Sequence, residues 1–318
     1  MKPKIIVTRD IPDEVESRLK EFFQVSFNRN DKIFSEDILR KAMENADGIV
    51  CTVTDNITDK LLSLKNKKVK IIANIGVGVD HIDLHSARQN NVIITNTPDV
   101  LTEATVDVAT LLLLSVTRNA FLVEKMLRQG EWKGFSLTEN LGVDIRGKTL
   151  GIIGMGRIGK AFAKRAHNVF GMKVLYYNRS PVKGLTFDAS VRFDVDALLE
   201  ESDVISLHLS SDKENKNFIS KSRMKKIRAS SFLINTSRGD VLDQIALIDL
   251  LEKKKISGAG LDVFLNEPNV PHRLRQLTNV TLYPHIGSAT YETRTKMGVM
   301  AVENLIAFFN KKQVINQL

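Results

Sequence analysis

Four stretches of the chain carry residues whose types and spacing can do chemistry together. "IIGMGRIG" (152–159) holds Gly154, Gly156 and Gly159 in a G-x-G-x-x-G arrangement. Gly154 permits a tight turn, Gly156 lets backbone approach a pyrophosphate with no side chain between, and Gly159 lets a helix pack close to the preceding strand. The backbone N–H groups of Arg157 and Ile158 would then face phosphates from a helix N-terminus. Such a turn alone is a weak signal; here a strand-like run precedes it and a helical pattern follows. The other three stretches come later. "INTSRGD" (234–240) supplies Arg238, "LDVFLNEP" (261–268) supplies Asp262 and Glu267, and "LYPHIGSAT" (282–290) supplies His285. Reducing a 2-oxo acid with a nicotinamide needs a cation to hold the carboxylate and polarise the carbonyl. It also needs a proton donor and a group that keeps the donor charged. These are the residue types on offer.

The next strand after a glycine turn usually ends on an acid that accepts hydrogen bonds from the adenosine ribose. This one ends Tyr177-Asn178-Arg179-Ser180. An acid there repels a 2′-phosphate, whereas arginine pairs with it, and Asn178 and Ser180 can add hydrogen bonds. The expectation is NADP(H) preferred, with NAD(H) possible.

Positioning these residues falls to short β-branched runs alternating with amphipathic segments. One set is 4–8, 48–52, 69–75 and 92–96; the other is 149–154, 173–177, 204–209, 231–236, 258–263 and 280–284. Alternation of this kind predicts parallel sheets covered by helices on both faces. Two sets predict an α/β protein of two doubly wound parallel-sheet domains, and 318 residues suit two. A long helix is expected over Leu101–Gly130 and another after the last strand. If that last helix returns to the first sheet, the domains are 1–100 with 288–318, and 101–287, with a cleft between them for the chemistry. In the later set the candidate residues follow strands, where open sheets place ligands.

The ordered motifs "NIGVGVDHID" (74–83), "NTPDVLTEATVDVATLLLL" (96–114), "GIIGMGRIG" (151–159), "NTSRGDVLD" (235–243), "GAGLDVFLNEP" (258–268) and "PHIGSAT" (284–290) span essentially the whole chain. Through them it resembles the D-isomer-specific 2-hydroxyacid dehydrogenases, most of all the glyoxylate/hydroxypyruvate reductases. The resemblance implies a Rossmann cofactor domain plus a flavodoxin-like substrate domain, a homodimer, and a small 2-oxo or 2-hydroxy acid as substrate. It implies a catalytic trio of Arg238, Glu267 and His285. His285 would protonate the carbonyl oxygen as hydride reaches the carbonyl carbon. Glu267 would orient the imidazole and favour its charged form, and Arg238 would bind carboxylate and carbonyl oxygens through its planar fork. By the same resemblance Val77 and Gly78 offer backbone N–H groups to the substrate acid, and Leu101 lines its pocket. Thr105 touches the cofactor phosphates or nicotinamide ribose. Asp262 accepts from the carboxamide, and Thr236 and Gly287 flank the ring. Ser210 stands where the family often has proline, in a loop that supports the nicotinamide. Trp132 lies where family dimers pair, either anchoring the dimer or reaching a neighbour's pocket.

Bulk properties remove other classes. The net charge of +9 is scattered; its tightest groups, 65–68 and 253–255, look like solvated helix ends, so no nucleic acid is expected. Cys51 is the only cysteine, which precludes an internal disulfide and suits a reducing compartment. The apolar run at the N-terminus is too short for a signal peptide, and the most apolar stretch, 109–116, is far below the ~20 residues that cross a bilayer. A cytoplasmic protein with no membrane partner is expected. His81 and His85 have i,i+4 spacing but no evident third ligand, so no metal is expected. A D-3-phosphoglycerate dehydrogenase would need extra cations at the pocket mouth. Glu267 argues against the formate dehydrogenases of this superfamily. The C-terminal-binding-protein corepressors, scaffolds of the same fold, have a disordered interaction tail for which this sequence shows no signal.

Overall fold

A computed structural model describes residues 1–318. The chain divides into two compact units, Met1–Leu101 with Ser288–Leu318, and Thr102–Gly287.

The first unit begins with strand β1 (Lys4–Val7), helix α1 (Asp13–Phe22), β2 (Gln24–Phe27), α2 (Glu36–Asn45) and β3 (Gly48–Cys51). It continues with α3 (Asp59–Leu62), β4 (Ile71–Asn74), α4 (Leu84–Gln89) and β5 (Ile93–Thr95). The strands pair in parallel in the order β2-β1-β3-β4-β5, the flavodoxin-like order. All residues of β3 and β4 are buried, as expected of strands covered on both faces. Side chains cap two of these helices: Ser35 ahead of α2, and Asp83, which accepts from the Ser86 amide at 2.9 Å, ahead of α4.

The second unit opens with α5 (Thr102–Thr117), α6 (Ala120–Arg128), β6 (Thr149–Ile153), α7 (Arg157–Phe170), β7 (Lys173–Tyr177) and β8 (Ser190–Val191). There follow α8 (Val195–Glu201), β9 (Val204–Leu207), α9 (Lys221–Met224), β10 (Phe232–Asn235), α10 (Gln244–Glu252), β11 (Gly258–Leu261), α11 (His272–Gln276) and β12 (Val280–Leu282). The parallel sheet runs β12-β11-β10-β9-β6-β7-β8. From β6 the chain builds outward to β8, then returns to β9 and builds the other way. The reversal lies between β6 and β9, where ligands of open sheets bind. α5 packs Val106, Ala109, Leu112 and Leu113 against Leu150, Ile152 and Ile234 of this sheet.

The last helix, α12 (Tyr291–Phe309), belongs to the first unit, where Ala301, Val302 and Leu305 pack with Ile5, Val15 and Leu19.

The structure departs from the sequence expectation in one helix and two edge strands. The helix over 101–130 is two helices whose axes differ by 68°. Asn119 breaks it in the left-handed region (φ 52°), with its side-chain amide bonded to the Leu141 carbonyl at 3.2 Å. Apolar spacing continues across the break, so periodicity alone does not reveal it. Strands β2 and β8 were not expected. Both lie at sheet edges and are exposed or half-buried, so neither carries the apolar run of a central strand. No single helix is long and apolar enough to cross a membrane; α5 with α6 reaches that composition only as a bent pair.

Candidate active site

The glycine turn stands at the reversal point. Gly154 has φ +96°, and a Cβ there would meet the His208 carbonyl oxygen, beyond the end of β9, at 2.5 Å. At Gly159 a Cβ would meet the Gly154 oxygen at 2.2 Å, so the start of α7 lies directly on the turn. Gly156 differs: a Cβ there would meet nothing within 4 Å. The helix that begins with Arg157 and Ile158 has no side-chain cap at its N-terminus. Glycine backbone opening onto free space and uncapped helix amides fit an anionic pyrophosphate.

At the end of β7, Asn178 binds back to the turn. Its Oδ1 accepts from the Met155 amide at 3.0 Å and its Nδ2 donates to the Ser180 carbonyl at 2.8 Å. Arg179 donates to Asp212 Oδ2 at 3.2 Å and to Glu214. Ser210 also donates to Asp212 Oδ2, at 3.1 Å. The reading of the sequence missed Asp212 and Glu214, which lie more than thirty positions from Arg179, after a different strand.

The ends of β10, β11 and β12 bring the second set together. Buried Asn235 ends β10; its Oδ1 accepts from the Ser237 amide (3.0 Å) and hydroxyl (2.8 Å), and its Nδ2 donates to the Arg238 carbonyl at 2.8 Å. The next residue is forced to be glycine. A Cβ on Gly239 would lie 2.0 Å from the Phe264 carbonyl carbon and 2.3 Å from the Leu265 nitrogen. The Arg238 turn therefore sits on the backbone of the segment that carries Glu267.

Glu267 Oε1 accepts from the Phe264 amide at 2.9 Å, and Oε2 meets His285 Nδ1 at 2.7 Å. Burial pushes the Glu267 carboxyl up. The His285 hydrogen bond and charge, the Phe264 amide and the Arg238 charge outweigh it and hold the group below its ordinary value. His285 is itself in the left-handed region (φ 55°), its amide donating to the Asp262 carbonyl at 2.9 Å. Burial pushes the Asp262 carboxyl up to about 6, against hydrogen bonds from the Ile286 and Gly287 amides. Gly287 faces Asp262 and Thr105: a Cβ there would lie 3.3 Å from Asp262 Oδ2 and 3.6 Å from Thr105 Oγ1. Thr236 carries a buried hydroxyl that has no hydrogen-bond partner in the protein.

Val77, Gly78 and Leu101 belong to the first unit. Asn74, buried at the end of β4, donates to the carbonyls of Gly76 (3.1 Å) and Gly78 (3.0 Å), and Asn96 donates to that of Val77 (3.0 Å). The Thr97 amide donates to the Gly76 carbonyl at 3.0 Å. Every carbonyl of the 76–78 loop is thus tied inward, and the amides of Val77 and Gly78 are left for another acceptor. Leu101 is buried. His81 Nε2 meets Asn74 Oδ1 at 3.1 Å, an oxygen that can only accept, and His81 precedes α4, so it shares no helix face with His85. Asn74, Asn96 and Asn235 were not singled out in the sequence. An asparagine at a strand's carboxyl end, just before a glycine-bearing loop, is the signal that finds two of them.

The profile of the D-isomer specific 2-hydroxyacid dehydrogenase family, NAD binding domain, matches residues 110–287. The chain belongs to that family. It is 42% identical to a glyoxylate reductase of Thermococcus litoralis over 313 residues, covering 97% of this chain and 94% of the relative. It is 40% identical to a glyoxylate reductase of Pyrococcus horikoshii, covering 97% and 93%. An NADPH-dependent glyoxylate/hydroxypyruvate reductase of Sinorhizobium meliloti, solved with NADP and malonate, superposes with a TM-score of 0.87 at 33% identity, covering 100% of this chain and 97% of that one. As a 2-hydroxyacid dehydrogenase, the chain is an NAD(P)-dependent oxidoreductase with a Rossmann NAD-binding domain.

Proposed function

We propose that this dehydrogenase reduces glyoxylate or hydroxypyruvate to the D-2-hydroxy acid, with His285 as acid and base, Glu267 as its partner and Arg238 as the substrate cation. The observation that carries the reading is the 2.7 Å contact of His285 with Glu267 beside the Arg238 turn. The relatives' names support the substrate class.

Engagement of Nδ1 with Glu267 leaves Nε2 of His285 to give its proton to the carbonyl oxygen and to take it back in the oxidative direction. The Glu267 carboxylate stabilises the imidazolium and fixes its ring plane. Arg238 stays charged throughout, so it binds and polarises but does not transfer a proton. The Val77 and Gly78 amides complement the substrate carboxylate without adding charge. The bound nicotinamide supplies the hydride. Its pyrophosphate is held by Gly154, Gly156, Gly159 and the α7 amides of Arg157 and Ile158. Thr105, Thr236, Asp262 and Gly287 hold the nicotinamide end; Ser210, expected beside the nicotinamide, instead shares Asp212 Oδ2 with Arg179 and so belongs to the adenosine end. Asn178, Arg179 and Ser180 receive the adenosine ribose, and Arg179 favours NADPH through its 2′-phosphate.

The second unit also presents an apolar surface that supports a homodimer: Leu127, Trp132 (58% exposed), Phe135 (87%), Leu137 and Leu141. Light scattering on the purified protein tests this; a monomer at micromolar concentration refutes it. The activity is tested with glyoxylate, hydroxypyruvate and pyruvate, each with NADPH and NADH. Turnover of the first two with NADPH supports the reading. So does a drop in kcat/KM of about 10²–10⁴-fold in Arg238→Gln with an unchanged unfolding temperature. No turnover of any 2-oxo acid overturns it.

A further inference from the structure

Arg179 is the cation at the end of β7, and the fold has already given it two carboxylates. Both come from the turn after β9, and their roles differ. Asp212 is built in. Its Oδ1 accepts from the amides of Glu214 (3.0 Å) and Asn215 (2.8 Å). Its Oδ2 accepts from Ser210 Oγ (3.1 Å), Asn215 Nδ2 (3.0 Å) and Arg179 Nη2 (3.2 Å). Glu214 is held by Arg179 alone, and its side chain is 75% exposed. The β7 end is equally fixed, because Asn178 binds the Met155 amide of the glycine turn. A guanidinium facing two carboxylates is a net-negative cluster, which opposes a phosphate dianion and not a ribose hydroxyl.

We propose that Asp212 and Glu214 form an acidic latch on Arg179 that a 2′-phosphate must open, and that this latch holds down the preference for NADPH over NADH. Glu214 is the part that swings away; Asp212 stays and shares Arg179 with the ligand. The idea rests on the reading that Arg179 receives the 2′-phosphate. It adds two specificity-determining residues that lie on a separate strand end from the cation they control. The acid missing from the end of β7 has its counterpart across space, in a position that tempers the arginine.

Calorimetric titration of NADPH, NADH and 2′,5′-ADP into the wild-type protein and variants, at low ionic strength, tests it. Glu214→Gln is expected to tighten NADPH and 2′,5′-ADP about two- to fivefold, the range of an exposed ion pair, with NADH changed less. Asp212→Asn with Glu214→Gln is expected to tighten them further. Arg179→Ala is expected to weaken NADPH by about tenfold or more and to abolish the effect of Glu214→Gln in the double variant. Glu214→Gln alone keeps the Asp212 turn intact, so it remains informative if the double acid variant folds poorly. If Arg179→Ala weakens NADPH but neither acid variant changes the NADPH-to-NADH affinity ratio, the latch is wrong and the phosphate reading stands. If Arg179→Ala leaves NADPH affinity unchanged, both fall.

Discussion

His285 and Glu267, 18 positions apart in the chain, meet through Nδ1 and Oε2 at 2.7 Å. The bond exists because β11 and β12 are parallel neighbours whose carboxyl ends open on the same side. It turns an isolated imidazole into an oriented acid with a charged partner. Glu267→Gln keeps the shape and removes the charge. Turnover is expected to fall about 10–100-fold, because the ring loses its charged partner while the loop keeps its shape. Turnover equal to the wild type would show that Glu267 only shapes the loop. His285→Ala should cost more, of order 10³-fold or above.

Gly239 couples Arg238 to the Glu267 segment. No side chain fits there, with Phe264 backbone at 2.0 Å from a Cβ. Gly239→Ala is expected to cost about 1–3 kcal/mol or more in urea unfolding and to lower kcat/KM for the oxo acid. A variant of wild-type stability and activity would mean that the two segments part easily.

Gly156 and Gly159 should separate stability from ligand binding. Gly159→Ala forces a Cβ onto the Gly154 oxygen, and a loss of about 1–3 kcal/mol is expected without any ligand. Gly156→Ala meets only open space. Its unfolding temperature without nucleotide should match the wild type, while nucleotide affinity falls at least tenfold. Equal affinities would remove the glycine turn from the binding site.

Asp262 gives the nucleotide-free protein a pH signature. Burial raises its carboxyl from 3.8 to about 6. Below about pH 4 both folded and unfolded chains hold the proton. Between about 4 and 6 the unfolded chain releases it while the folded chain keeps it, so stability falls as pH rises and then levels off. Asp262→Asn lacks this loss. Its stability relative to wild type should grow by about 1–3 kcal/mol from pH 4 to pH 7. A constant difference across that range would show that the carboxyl titrates normally.

Much of this site was legible before folding was known, and the reason is local. The glycine spacing at 154–159 states a backbone requirement within six residues. Arg238, Asp262 and His285 each follow an apolar run closely enough for parallel-strand logic to place them at a sheet's ligand-binding edge. The central strands announce themselves because burial on both faces demands continuous apolar runs. Edge strands β2 and β8 face no such demand, so they stayed silent. The bend at Asn119 was hidden because apolar spacing does not register one left-handed residue.

Residue type and short-range spacing determined which groups could bind a dinucleotide and move a proton, since those demands fall on a few consecutive positions. Tertiary structure alone decided which of them touch. The order and register of parallel strands put Glu267 on His285, Gly239 against Phe264, and two carboxylates on Arg179. Such pairings join distant segments through a shared sheet edge, and no pattern within either segment encodes the distance between them.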